Sequence, residues 1–236
     1  MAKPFLTAEW RYLLNVTFPV APELLAARVP PGVELDVQDG KAFASIVAFH
    51  FLNTRIKGLK IPFHVNFPEI NLRFYVKHQG RRGVVFWKEL VPKAAIAWVA
   101  QGLYNEPYRR AKMKVEVSDQ EQGIQTLTHD FRYGGKQHQI SAQFGPDLHI
   151  PDEDSVEHYF KEHDVGFGVN HLGHTLSYEV KHPRWAIYEL RNWSLDMDYA
   201  ALYGPQWSFL GEATPISALL AEGSAVEVYP ASRLTS

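Results

Sequence analysis

Hydrophobic and polar positions alternate with a period of two through much of the chain, most cleanly over residues 67–77. There Ile70, Leu72, Phe74 and Val76 share one face, and Glu69, Asn71, Arg73, Tyr75 and Lys77 share the other. This spacing predicts a β-strand. Its polar face carries a carboxylate, an amide, a guanidinium and a phenol in a row, which suits a wet cavity as well as a plain surface. Residues 10–18 predict a first strand, with Trp10, Tyr12, Leu14, Val16 and Phe18 on one side and Arg11, Leu13, Asn15 and Thr17 on the other. Residues 22–28 read as a short helix opened by Pro22 and stopped by Pro30-Pro31-Gly32. Residues 33–37 and 41–52 read as strands joined at Gln38-Asp39-Gly40, the second apolar enough to be buried on both faces.

Further along, residues 84–90 predict the partner of the 67–77 strand, reached through Gln79-Gly80. Residues 93–104 carry the strongest helical periodicity. Residues 108–117 alternate again, so Tyr108 and Arg109 point to opposite sides. Strands are predicted over 124–133 and 136–144 around Gly134-Gly135, then over 165–169, 175–180, 185–190 and 225–229. Short helices are predicted near 152–163 and 196–203. About ten strands with many hairpins and three or four helices predict an α+β fold, mainly antiparallel β. No linker interrupts the 236 residues, so one domain spanning 1–236 is expected.

Composition narrows the function classes. The net charge is −2 and no basic stripe stands out, so no nucleic-acid partner is expected. The absence of cysteine removes disulfides, thiolate metal sites and a cysteine nucleophile. No apolar run reaches signal-peptide or membrane-helix length, which predicts a cytoplasmic protein with no membrane partner. Eleven histidines invite a metal reading. Yet His171/His174 and His158/His163 lack the His-Glu-x-x-His pattern, so no metal is expected. A Gly-x-Ser-x-Gly elbow and a glycine-rich phosphate loop are both missing, and no cofactor is implied.

Several segments in one order resemble the YqjF-like bacterial family, whose function is unknown. They are Phe18-Pro-Val-Ala-Pro-Glu-Leu-Leu25, Pro30-Pro-Gly-Val-Glu-Leu-Asp36, Phe67-Pro-Glu-Ile-Asn-Leu-Arg73, Gly83-Val-Val-Phe86, Pro107-Tyr108, Ala111-Lys-Met113, Ser155-Val-Glu-His-Tyr159 and His182-Pro-Arg-Trp185. The resemblance implies the acetoacetate decarboxylase-like fold, a cone of antiparallel sheets around a cavity. Carried over by strand order, the decarboxylase's arginine falls on Arg11, its glutamate on Glu69 and its lysine pair on Tyr108 and Arg109. Tyrosine forms no imine and arginine stays protonated, so Schiff-base chemistry is not expected at that position. Lys112 lies about 13 Å along the strand from Tyr108, too far to substitute.

The expected function is therefore binding of, or proton transfer on, a small organic acid or carbonyl compound, lyase- or isomerase-like if enzymatic. Glu69 and Tyr108 are the candidate catalytic pair. Arg11, Arg109, Asn71 and Arg73 are the candidate ligand-binding groups. Glu69 is equally readable as one half of a structural pair with Arg73, and Arg11 as a surface arginine. The alternatives are a non-catalytic ligand-binding or sensing protein and a structural domain whose cavity is filled by side chains. A homo-oligomer is suggested by analogy alone.

Overall fold

The computed structural model describes residues 3–92, 107–119 and 123–234. The helix expected over 93–104 lies outside them. Fourteen strands among the described residues join one mixed, largely antiparallel sheet. They are β1 (Leu6–Val20), β2 (Glu34–Leu35), β3 (Ala42–Ile56), β4 (Phe67–His78), β5 (Arg81–Val91), β6 (Tyr108–Arg110), β7 (Lys112–Asp119) and β8 (Gln125–Tyr133), then β9 (Lys136–His149), β10 (Val165–Val169), β11 (Thr175–Lys181), β12 (Ile187–Asp196), β13 (Ser217–Val228) and β14 (Ser232–Arg233). Three short helices accompany them: α1 (Pro22–Ala26), α2 (Val156–Lys161) and α3 (Tyr199–Tyr203). The 108–117 strand is thus broken at Ala111 into β6 and β7, and β12 and β13 run well beyond their expected bounds.

The sheet closes on itself. β11, β10, β5, β4, β3, β1 and β13 pair in sequence, and β13 returns to β11 through Val180 opposite Val228. Closure leaves no open edge among these seven strands. β12, β9, β8 and β7 continue outward from β13 as a wing. The wing folds over the outside of the ring, where Leu14, Val16, Ile46, Leu72 and Phe74 pack with Leu127, Phe131, Ile140 and Phe144. A second cluster, with Leu13, Val47, Phe49, Phe51 and Trp185, lies inside the ring. β3 is apolar along its length because it has one face in each cluster.

β1 departs from regular alternation. Its pairing with β3 shifts between Arg11 and Leu14, and Tyr12 has φ 54°. This bulge reverses the facing of everything beyond it. Trp10 belongs to the inner side together with Leu13, whereas Leu14, Val16 and Phe18 face the wing. The expectation that Trp10 and Leu14 share a face is corrected accordingly.

Candidate functional site

A cavity of about 340 Å³ opens inside the ring. β4 supplies its polar wall: Glu69, Asn71 and Arg73, two residues apart, all line it. Glu69 is 2% exposed. Its Oε1 accepts from Asn71 Nδ2 at 3.0 Å and its Oε2 from the Tyr108 hydroxyl at 3.0 Å. β6 brings Tyr108 there by running parallel to β5, with Tyr108 opposite Glu89.

Glu89 is a second buried carboxyl, also 2% exposed, opposite Asn71 on β5 and within hydrogen-bonding reach of both Glu69 and Tyr108. Burial pushes the Glu69 carboxyl up to about 7, although the Asn71, Tyr108 and Glu89 hydrogen bonds and the Arg73 charge pull it back. Burial, then the adjacent carboxyls, holds the Tyr108 phenol well above its usual range, so it remains a donor at any working pH. Two carboxyls this close to one another favour a single shared proton.

Beyond Asn71 the cavity ends at Arg73, Lys161 and His163. Arg73 donates from Nη2 to the Phe160 carbonyl at 3.2 Å, while its buried Nε has no partner among the described residues. His163 comes just after α2. Both its ring nitrogens are buried without a partner among the described residues, and Tyr75 packs on the ring at 4.8 Å. Burial, then the Arg73 charge, lowers its pKa well below the usual imidazole range and keeps it neutral. A buried donor left unpaired costs about 1–3 kcal/mol, so such atoms at a cavity wall are poised for a polar guest. Lys161 is buried, and its ammonium pairs with Glu162. The opposite end is aromatic: Trp10 stands 5.3 Å from Phe49, 5.5 Å from Phe51 and 6.2 Å from Trp185.

The structure therefore brings Glu69, Asn71, Arg73 and Tyr108 together. It leaves out Arg11 and Arg109. Arg11 precedes the β1 bulge on the side away from Trp10, and it bonds to Glu9 at 3.0 Å and to the Gly223 carbonyl at 3.3 Å. Arg109 alternates away from Tyr108, is exposed, and donates to the Tyr108 carbonyl at 2.9 Å. Lys112 is exposed on β7. Sequence reasoning missed Glu89, Lys161 and His163. Among the described residues no group of three potential metal ligands comes together, and no helix is long and apolar enough to cross a membrane.

Comparison with known proteins identifies the fold and the family. Across nearly the whole chain the fold matches the acetoacetate decarboxylase of Legionella pneumophila, with a TM-score of 0.70, 15% identity and coverage of 99% of this chain and 88% of that one. An acetoacetate decarboxylase-like enzyme from Sphingomonas wittichii RW1 matches with a TM-score of 0.67 and 15% identity over 99% and 94% of the two chains. MppR, an enduracididine biosynthesis enzyme solved in complex with pyruvate, matches at 0.69 and 12% over 100% and 92%. In sequence the chain is 35% identical over 108 residues to the uncharacterized protein YqjF of Bacillus subtilis (strain 168), a match spanning 45% of each. The DUF2071 family model matches residues 7–225. The chain therefore belongs to the DUF2071 family of uncharacterized conserved proteins and carries the acetoacetate decarboxylase-like fold.

Proposed function

We propose that this protein moves a proton next to the carbonyl of a small organic acid bound in the ring cavity. The observation that carries the reading is the buried Glu69–Glu89 pair, held by Asn71 and Tyr108 at the wall of that cavity. A carboxyl that titrates near neutrality is suited to take a proton and to return it. In the proposed step the Glu69 carboxylate removes a proton from the carbon beside the carbonyl. The C–H electron pair forms a C=C bond as the carbonyl π pair moves onto oxygen. The Tyr108 hydroxyl, released from Glu69 once that carboxylate has taken the proton, donates to the resulting enolate oxygen. Reprotonation at carbon closes the cycle without an oxidant or a cofactor. The pyruvate complex of MppR, a protein of the same fold, supports a 2-oxo acid as the starting probe.

Deuterium incorporation at C3 of 2-oxobutanoate in D2O, followed by NMR, tests this. Exchange is expected to rise with pH through about 7 as Glu69 ionises. Glu69→Gln should slow it by about 10²-fold or more. Unchanged exchange in that variant would remove the reading.

A second reading rests on Lys161, a primary amine buried at the same cavity. It would condense with the carbonyl, losing water to form an imine. Borohydride reduction in the presence of pyruvate, followed by peptide mapping, separates the two. An adduct on Lys161 establishes imine chemistry, and an unmodified Lys161 leaves direct proton transfer.

A further inference from the structure

The polar and apolar groups of the cavity are sorted along one axis. Down β4 the side chains facing it run Glu69, Asn71, Arg73. At the Glu69 end, Phe49 of β3 lies directly opposite Glu69 in register and Trp10 packs on Phe49 and Phe51. At the far end stand Arg73, whose Nε is buried and unpartnered among the described residues, and His163, whose two ring nitrogens are likewise unpartnered. The dyad of Glu69 and Glu89 borders the aromatic end, with Glu89 opposite Asn71 and Arg73 beyond it. Arg73 is close enough to Glu69 for its charge to lower the carboxyl's pKa.

Size completes the picture. The cavity holds about 340 Å³, whereas a dry cavity of roughly 150 Å³ already accepts a benzene ring. An acid as small as pyruvate would fill the polar end and leave the aromatic end empty.

Resting on the proton-transfer reading of this site, we infer that the substrate class is an amphipathic 2-oxo acid with an extended alkyl or aryl substituent. Its carboxylate sits between the Arg73 guanidinium and the His163 N–H, its carbonyl and neighbouring carbon lie at Glu69 and Tyr108, and its substituent fills the aromatic end. The carboxylate meets the unpaired donors. The apolar tail covers walls that water would otherwise wet.

Isothermal titration of the full chain with pyruvate, 2-oxobutanoate, 2-oxohexanoate, 2-oxooctanoate and phenylpyruvate tests the assignment. Each added methylene is expected to tighten binding about four-fold until the tail reaches the end wall. Phe49→Ala should move that break to a longer acid, and the milder Phe49→Leu should move it the same way by less. Arg73→Gln should weaken the whole series by at least ten-fold, and the 2-oxo amides should bind as weakly to wild type as the acids do to that variant. Affinity that is flat or falls with chain length overturns the inference, as does a failure of every acid to bind. Equal binding of acids and amides overturns the placement of the carboxylate. If the length dependence holds while no acid exchanges its C3 protons, the substrate class stands as a ligand class and the proton-transfer reading alone falls.

Discussion

At the scale of single residues, Glu69 has a consequence that does not depend on its chemistry. Its carboxyl titrates near 7 in the folded protein against an ordinary value of 4.5. Between those limits the folded state holds a proton that the unfolded state has released. Stability therefore falls as pH rises from 4.5 to 7, and the penalty is complete above 7. A shift of that size corresponds to about 3 kcal/mol. Glu69→Gln removes the titration, so its stability relative to wild type should improve by about 3 kcal/mol between pH 4.5 and the alkaline plateau, as read by urea unfolding at each pH. An unchanged difference would show that the carboxyl is not buried as charge. Glu69 itself was legible in the sequence, because alternation puts it with Asn71 and Arg73. Glu89 was not. Counting outward from the Gln79-Gly80 turn places Lys88 opposite Asn71. A bulge in the β4–β5 pairing, between Leu72 and Arg73, admits Trp87 as an extra residue and puts Glu89 there instead. Lys88 is turned toward the wing, over the Tyr133 ring. No turn or composition signal marks that bulge.

At the scale of elements, the same lesson recurs in β1. Its alternation is clean in the sequence, yet the segment from Arg11 to Leu14 carries an irregularity that sends Arg11 outward and brings Trp10 and Leu13 to the cavity. The cause lies about 210 residues away in β13. Gly223, opposite Arg11, has φ +82°, and a Cβ there would overlap the Trp10 carbonyl and approach Leu13 Cδ1 to 2.8 Å. Gly223→Ala should therefore cost about 2–4 kcal/mol, the sum of left-handed strain and overlap. It should also disturb the aromatic end of the cavity, through the displaced Trp10. Thermal unfolding with near-ultraviolet circular dichroism checks both, and a neutral substitution would mean that β1 can realign without the bulge. α2 shows the reverse case, in which a short, weakly predicted element is fixed by its ends. Ser155 Oγ accepts from the His158 N–H at 3.1 Å. At the other end the Phe160 carbonyl takes donors from Asn15, Arg73 and Tyr75, at 3.1, 3.2 and 3.3 Å. Two strands, β1 and β4, thereby position Lys161 and His163 at the cavity. Local sequence announced the helix, but only the closed ring sets where Lys161 and His163 point.

At the scale of the whole molecule, the ring and the wing meet over a pair of histidines that no mechanism uses. His50 of β3 and His129 of β8 stand 5.3 Å apart between their centroids. Neither His129 nitrogen nor His50 Nε2 has a partner among the described residues. Burial lowers His50 to about 4, while burial and then the His50 charge lower His129 to about 3. The unfolded chain, with imidazoles near 6.5, takes up protons that the folded chain refuses until much lower pH. Stability is thus complete above 6.5 and is lost as pH falls toward 3. His129 is 1% exposed, so its share alone amounts to about 5 kcal/mol at full titration. Acid should accordingly separate the wing from the ring, since protonation places charge in the layer joining them. His129→Phe retains a ring of similar shape without the titration. In the variant the loss of stability toward low pH should be shallower by about that amount and its midpoint should move to lower pH, with the Glu69 contribution between pH 4.5 and 7 unchanged. If wild type and variant lose stability in parallel as pH falls, the histidine pair is not what limits acid stability. The two titrations act in opposite directions: the histidines at the ring–wing layer cost stability as pH falls below 6.5, and Glu69 inside the ring costs stability as pH rises from 4.5 to 7, the same ionisation that readies it as a base.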